Sequence, residues 1–217
     1  MNVFVHIGLP KSASRYLRKH VWRAHPDINY YQDSTFADEI TQKDSLEYSP
    51  PKIELNGQVN LISSPVFSAE GGADRALKVQ RLYDLLPEAK LICIIRNQFD
   101  RLRSLYAMSY QRGREYGMTS FPDLCDWALK APNIAPTNSV IQWRRPIDRI
   151  CEGPILQEYQ KKFDMLILPM EAIREDFFAE RLSNYMSIDH EALSQLLQGQ
   201  PEGVRIKNGK IQTNLFR

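Results

Sequence analysis

An α/β fold, a single domain with a central, mostly parallel sheet flanked by helices, is the class this sequence predicts. Three observations predict it. Near-continuous apolar runs stand at Val3–Ile7, Leu91–Ile95 and Met165–Leu168, the pattern of strands buried on both faces of a parallel sheet. Each run leads through a turn into a stretch with helical spacing. No internal repeat or low-complexity tract interrupts the alternation, so one domain over residues 1–217 is expected.

The first strand, Val3–Ile7, ends at Gly8 and Pro10, which suits an abrupt turn. After Ser14, Leu17, Val21 and Ala24 recur at helical spacing while Arg15, Arg18, Lys19 and Arg23 fall mostly on other faces; the stretch His25–Asp27 ends this helix. Residues 29–60 are polar and turn-rich, and only a short strand around Val59–Ile62 is predicted there. Leu82, Leu85 and Leu86 share one face of a helix that stops at Pro87 and feeds the strongest strand candidate, KLICIIR at 90–96. Beyond it, the spacing of Phe99, Leu102, Leu105, Tyr106, Ser109 and Tyr110 predicts a helix that packs this stripe on the core and ends near Gly113. Ser104 falls on the opposite side of that helix. Residues 114–154, with scattered aromatics and prolines, read as short helices and loops. FDMLILP at 163–169 predicts a further strand, and helices follow over EAIREDFFAERLSNYMSI and EALSQLL, ending at Gly199.

Composition narrows the function classes. The chain is 43% hydrophobic and 25% charged, which is ordinary for a globular protein and unlike disordered or fibrous sequences. Its 28 basic and 26 acidic residues leave a net charge of +2, too balanced for nucleic-acid binding through bulk electrostatics, so a basic site has to be local. No apolar run approaches the roughly 20 residues that span a bilayer, and no basic segment precedes a longer apolar one at the start. A cytoplasmic protein without a membrane span is expected. Cys93, Cys125 and Cys151 are odd in number, far apart and without metal-ligand spacing, so neither a disulfide framework nor a metal site is predicted. Cys93 reads as a core thiol.

The segment GLPKSAS at 8–14 lies at the joint between the first strand and its helix. A strand that turns abruptly into a helix leaves backbone N–H groups without intrahelical partners, and with the helix dipole these form an anion site. Lys11 and the hydroxyls of Ser12 and Ser14 add donors suited to a phosphate or sulfate. The nucleoside-triphosphate loop pattern requires a glycine directly before its lysine, where this chain has Pro10. A second joint follows KLICIIR: Arg96 offers a planar fork for a phosphate, and Ser104 lies on the helix that follows.

The residues PKSASRYL at 10–17 resemble the 5′-phosphosulfate-binding loop of the sulfotransferases that use 3′-phosphoadenosine 5′-phosphosulfate (PAPS), whose usual form reads close to PKSGTTWL. Lys11, Ser12 and Leu17 match, Ser14 replaces a threonine, Ala13 replaces the glycine and Arg15 replaces the second threonine. IIRNQFDRLRSLY at 94–106 resembles the family's 3′-phosphate-binding segment, in which RNP ends a buried strand, an aspartate follows and a serine stands eight residues after the arginine. Arg96, Asn97, Asp100 and Ser104 hold those positions, and Gln98 replaces the proline. Two motifs in the right order on the expected elements are more specific than either alone. HPDINYY at 25–31 and LILPMEAIREDFFAERLSNYMSID at 166–189 follow the family's habit of a strand, an acidic residue and a long helix. GVRIKNGK at 203–210, with Arg205 and Lys207, is similar to the family's late basic loop, and the HIGLPK opening looks like that of bacterial members.

The resemblance implies transfer of a sulfuryl group from PAPS to a hydroxyl or amine of an acceptor, with release of 3′,5′-bisphosphoadenosine. Such a transfer needs in-line positioning and stabilisation of charge on the leaving oxygen more than covalent chemistry. It implies Lys11 as the catalytic cation, with Lys11, Ser12, Ala13, Ser14 and Arg15 around the 5′-phosphate. Arg96 and Ser104 would hold the 3′-phosphate, Arg205 and Lys207 would close on the nucleotide, and no metal is needed. The family's base, histidine in some branches and glutamate in others, would come from NLISSPVFSAEGG at 60–72. Glu70 is the candidate there, with Asp33 and His6 as alternatives. A saccharide or other small hydroxylated metabolite is the expected acceptor, selected by residues 29–60 and 114–154. Two rival readings stand beside this one: a nucleotide or small-molecule kinase using ATP and Mg²⁺, which Pro10 disfavours, and a non-catalytic nucleotide-binding relative.

Overall fold

The computed structural model describes residues 2–31, 36–37, 40, 49–68, 75–111, 121–122, 153–199, 206–207 and 210–211. Five strands form one all-parallel sheet: β1 (Asn2–Ile7), β2 (Ile28–Tyr31), β3 (Val59–Ser64), β4 (Lys90–Ile95) and β5 (Met165–Pro169), in the order β2-β3-β1-β4-β5. β1 is central, in register with β3 from Asn2↔Val59 to Ile7↔Ser64 and with β4 from Phe4↔Lys90 to Ile7↔Cys93. A two-stranded antiparallel pair, β6 (Ile206–Lys207) and β7 (Lys210–Ile211), falls within the late basic segment.

The apolar runs form strands because both faces of each are covered. Phe4, Leu61, Ile92, Ile94, Leu166 and Leu168 face one layer. It is built from α1 (Ser14–Tyr16), the π-helix Leu17–Trp22 that continues it, α5 (Asp176–Met186) and α6 (His190–Leu197). Val5, Ile7, Ile62, Leu91 and Cys93 face the other, which holds α2 (Arg75–Leu85), α4 (Gly153–Gln160) and the buried Phe36 and Ile40. Alternate residues of β4 thus enter different layers, as the period of two requires. Leu17, Val21 and Trp22 are fully buried, each contributing roughly 1.5–3 kcal/mol of hydrophobic stabilisation. Cys93 is a buried core thiol, as its apolar run predicted.

Three local expectations change. Strand β2 occupies residues for which no regular structure was predicted, because four residues at a sheet edge are too short to display a period. The first helix is α-helical only over Ser14–Tyr16 and continues as a π-helix. In α3 (Gln98–Gln111), Phe99 is 58% exposed and Arg101 only 5%. The first turn of α3 lies past the end of β4, where Phe99 meets Phe121 edge-on at 5.5 Å instead of the core. The side chains at 105–111 of the predicted stripe lie outside the described ones.

The HPD stretch closes the first crossover. The buried His25 ring accepts at Nδ1 from Asp27 N and donates from Nε2 to the Asp189 carbonyl, while Asp27 accepts from Asp189 N. Asp189 in turn caps α6 by accepting from Ala192 N at 2.6 Å. No described helix is long and apolar enough to cross a membrane.

The chain leaves β1 toward the α1 layer and leaves β3 toward the α2 layer, although the two strands are neighbours. Oppositely directed connections open a crevice at the carboxyl ends of the strands, where open α/β sheets bind ligands.

Candidate active site

At the end of β1 the chain presses against β3. Gly8 N donates to Ser64 O at 3.3 Å and Gly8 O accepts from the Ser68 hydroxyl at 2.9 Å. A Cβ at Gly8 would lie 3.2 Å from the Pro65 backbone, tighter than side chains normally tolerate, which explains glycine at this exit. Leu9, 2% exposed, anchors the turn in the core, and Ser12 N returns to Leu9 O at 3.4 Å.

The turn is built from left-handed residues. Lys11 has φ 66° and Ala13 φ 57°, and Ser12 between them does not share the positive φ. Each left-handed non-glycine residue costs roughly 1–2 kcal/mol. Alternation of hand aims successive N–H groups into one concavity, a geometry suited to an anion. Ala13 therefore occupies the conformation that glycine adopts without strain.

The hydroxyls of this loop turn inward. Ser14 Oγ donates to Leu9 O at 3.0 Å, and Ser12, fully buried, has a hydroxyl without a hydrogen-bond partner among the described residues. Lys11 and Ala13 are half-buried and Arg15 is exposed. Toward solvent the loop thus shows Arg15 and, in part, Lys11 and Ala13. Behind it, Arg18 Nε donates to Ser14 O at 3.2 Å. Tyr16, 5% exposed, places its hydroxyl 2.8 Å from Leu196 O and 3.1 Å from Leu197 O, joining α1 to the carbonyl end of α6.

Arg96 leaves the end of β4, the strand beside β1, and donates from Nη1 to Lys11 O at 3.2 Å. Its Nε is buried without a hydrogen-bond partner among the described residues. Asn97 caps α3: its Oδ1 accepts from Phe99 N and Asp100 N at 3.1 and 3.2 Å. The Asn97 N–H is held by Glu171 Oε1 at 2.9 Å. Ser104 is half-buried in the second turn of α3.

His6 does not open to the crevice. It is fully buried, hydrogen-bonded through Nδ1 to Ser63 Oγ at 2.7 Å and packed against Trp22 at 5.7 Å between ring centroids. Burial, and secondarily the nearby Arg18 charge, push its pKa down to about 3, so the ring is neutral and acts as a structural tie. Glu70, Asp33 and Arg205 lie outside the described residues; Lys207 is placed on β6 by its backbone alone. Sequence reasoning missed the roles of Glu171 and Tyr16. The signal for Glu171 was an acidic residue just beyond a strand whose carboxyl end is the same as that of Arg96. Among the described residues no group of three or more His, Cys, Asp or Glu side chains gathers at metal-ligating range.

No family model matches this sequence, and no curated protein matches it. Among solved structures it is similar to the sulfotransferase from Alicyclobacillus acidocaldarius, with a TM-score of 0.61 over 88% of this chain and 83% of that chain at 16% sequence identity. The chain has a sulfotransferase-like fold. In this sulfotransferase-like fold the strained loop after β1 and the arginine after β4 stand side by side at the carboxyl edge, joined by the hydrogen bond between Arg96 and Lys11 O.

Proposed function

We propose that this protein is a sulfotransferase that moves a sulfuryl group from PAPS to a hydroxyl or amine of a small acceptor, a saccharide or other hydroxylated metabolite, in the cytoplasm. The observation that supports the reading is the contact of Arg96 with Lys11 O, which joins the two motif-bearing segments at neighbouring strand ends. The similar sulfotransferase structure supports it at the level of the fold. The Arg96 Nε, without a partner among the described residues, and the left-handed backbone at Lys11 and Ala13 suit an elongated ligand with an anion at each end.

In this reading the bond from acceptor oxygen to sulfur forms as the bond from sulfur to the bridging phosphate oxygen breaks, and bisphosphoadenosine departs. Lys11 neutralises charge growing on that bridging oxygen, and the Ser12 hydroxyl and the main chain of Ala13 and Ser14 with Arg15 hold the 5′-phosphate. Arg96 and Ser104 hold the 3′-phosphate, and Arg205 and Lys207 close over the nucleotide. Glu70 takes the acceptor proton. His6, buried and neutral, is not assigned that role.

Calorimetric titration with 3′,5′-bisphosphoadenosine, beside ADP with Mg²⁺, tests the donor. Tight binding of the bisphosphate that collapses in Arg96→Ala is expected; preference for ADP with Mg²⁺, or binding of neither, would sink the reading.

A further inference from the structure

Glu171 lies just past β5, in the short 3₁₀ turn Met170–Ala172, and is exposed. Its carboxylate reaches across to the neighbouring strand end and accepts from the main-chain N–H of Asn97 at 2.9 Å. Asn97 directly follows Arg96, whose guanidinium reaches the opposite way to Lys11 O at 3.2 Å. The carboxyl ends of β5, β4 and β1 are thereby tied in a row, with Arg96 in the middle.

The same contacts decide where an anion can sit. A helix start normally offers N–H groups and a positive dipole end to an incoming anion. At α3 three of those groups are taken by the protein: Glu171 holds Asn97 N, and the Asn97 side chain holds Phe99 N and Asp100 N. A carboxylate already faces the dipole. An anion arriving at the end of β4 therefore meets a helix start already served by a carboxylate, and beside it the Arg96 guanidinium, whose Nε has no partner among the described residues.

We propose that Glu171 is a positioning residue: by holding the Asn97 N–H at the positive end of α3, it sets the backbone from which Arg96 grips the 3′-phosphate, and so sets the preference for nucleotides carrying that phosphate. This rests on the reading of the site as a PAPS site. A charged acceptor makes the hydrogen bond stronger than a neutral one would, and the rigid fork of arginine makes its grip sensitive to small shifts of the backbone.

The test compares affinities for 3′,5′-bisphosphoadenosine and for 5′-AMP, which lacks the 3′-phosphate, by calorimetry on wild type, Glu171→Ala, Glu171→Gln and Glu171→Asp. In Glu171→Ala the ratio of the two affinities should fall about tenfold, the effect of one charge-assisted hydrogen bond at an exposed site. Binding of 5′-AMP should stay as in wild type, and amide hydrogen exchange at Asn97 should quicken. Glu171→Gln keeps the acceptor oxygen and should retain most of the ratio; Glu171→Asp, one methylene short, should move toward the alanine variant and decides the matter if Glu171→Ala does not fold. An unchanged ratio, or equal loss of both affinities, overturns the positioning role. If wild type itself does not prefer the bisphosphate, the PAPS reading falls first and this inference with it.

Discussion

Arg96 and Lys11, at the carboxyl ends of two neighbouring strands, are joined by a hydrogen bond of 3.2 Å from the guanidinium to the main-chain carbonyl. The carbonyl orients the arginine, and the arginine steadies the loop that carries the lysine. Substitution of Arg96 therefore removes a charge and loosens the loop together. Arg96→Lys supplies a charge without the planar fork, and it should still lose bisphosphoadenosine affinity by about tenfold or more in calorimetry, because a compact ammonium on a flexible stem lacks the rigid donor geometry that fixes carbonyl and phosphate together.

Lys11→Ala should lower kcat by about 10²–10³ with a much smaller change in the affinity for bisphosphoadenosine, as expected for a cation whose main work is in the transition state. Steady-state kinetics beside calorimetry separates the two quantities. Turnover that survives the substitution would remove Lys11 from the catalytic role.

Ala13→Gly should raise stability. The left-handed conformation at φ 57° costs alanine roughly 1–2 kcal/mol, and the extra freedom of glycine in the unfolded chain takes back about 0.5–1 kcal/mol. A net gain of about 0.5 kcal/mol should appear as a small rise in the urea midpoint at unchanged slope.

The buried His6 predicts a pH dependence. Its folded-state pKa is depressed to about 3 from the model-peptide value of 6.5, so the unfolded chain binds the proton more readily in the window between those values. The His6 contribution is fully present above pH 6.5 and is lost progressively toward pH 3, by up to about 1.4 kcal/mol per pH unit. Urea unfolding at pH 7, 6 and 5 should show this slope, and His6→Gln should flatten it; an equal slope in the variant would assign the effect to other groups.

Tyr16→Phe removes the hydroxyl that serves the carbonyls of Leu196 and Leu197 at 2.8 and 3.1 Å. With those carbonyls at a helix end left short of a donor, stability should drop by about 1 kcal/mol. For a chain of this size the melting temperature should fall by about 2–4 °C, which differential scanning calorimetry would read.

Much of this arrangement was legible before the structure. The apolar runs at Val3–Ile7, Leu91–Ile95 and Met165–Leu168 became the three strands β1, β4 and β5, since a run buried on both faces needs no partner to be recognised. The loop at Lys11 and the strand-end Arg96 were found by residue type and spacing. The exposure of Phe99 and the burial of Arg101 were not, because the helical period tells which residues share a face but not where along the helix the packing layer begins.

The sequence by itself determined the alternation of strands and helices, the turn at Gly8–Pro10 and the chemical types of the residues at the two strand ends, all of which depend on neighbours within a turn or two. Only the tertiary structure decided that Arg96 meets Lys11 O, that Glu171 holds the next N–H, and that His6 is a neutral tie beneath Trp22. Arg96 and Lys11 stand 85 residues apart, and Glu171 and Asn97 stand 74 apart. Contacts at such separations are set by which strands lie side by side in the sheet, a property of the whole packed chain rather than of any local run.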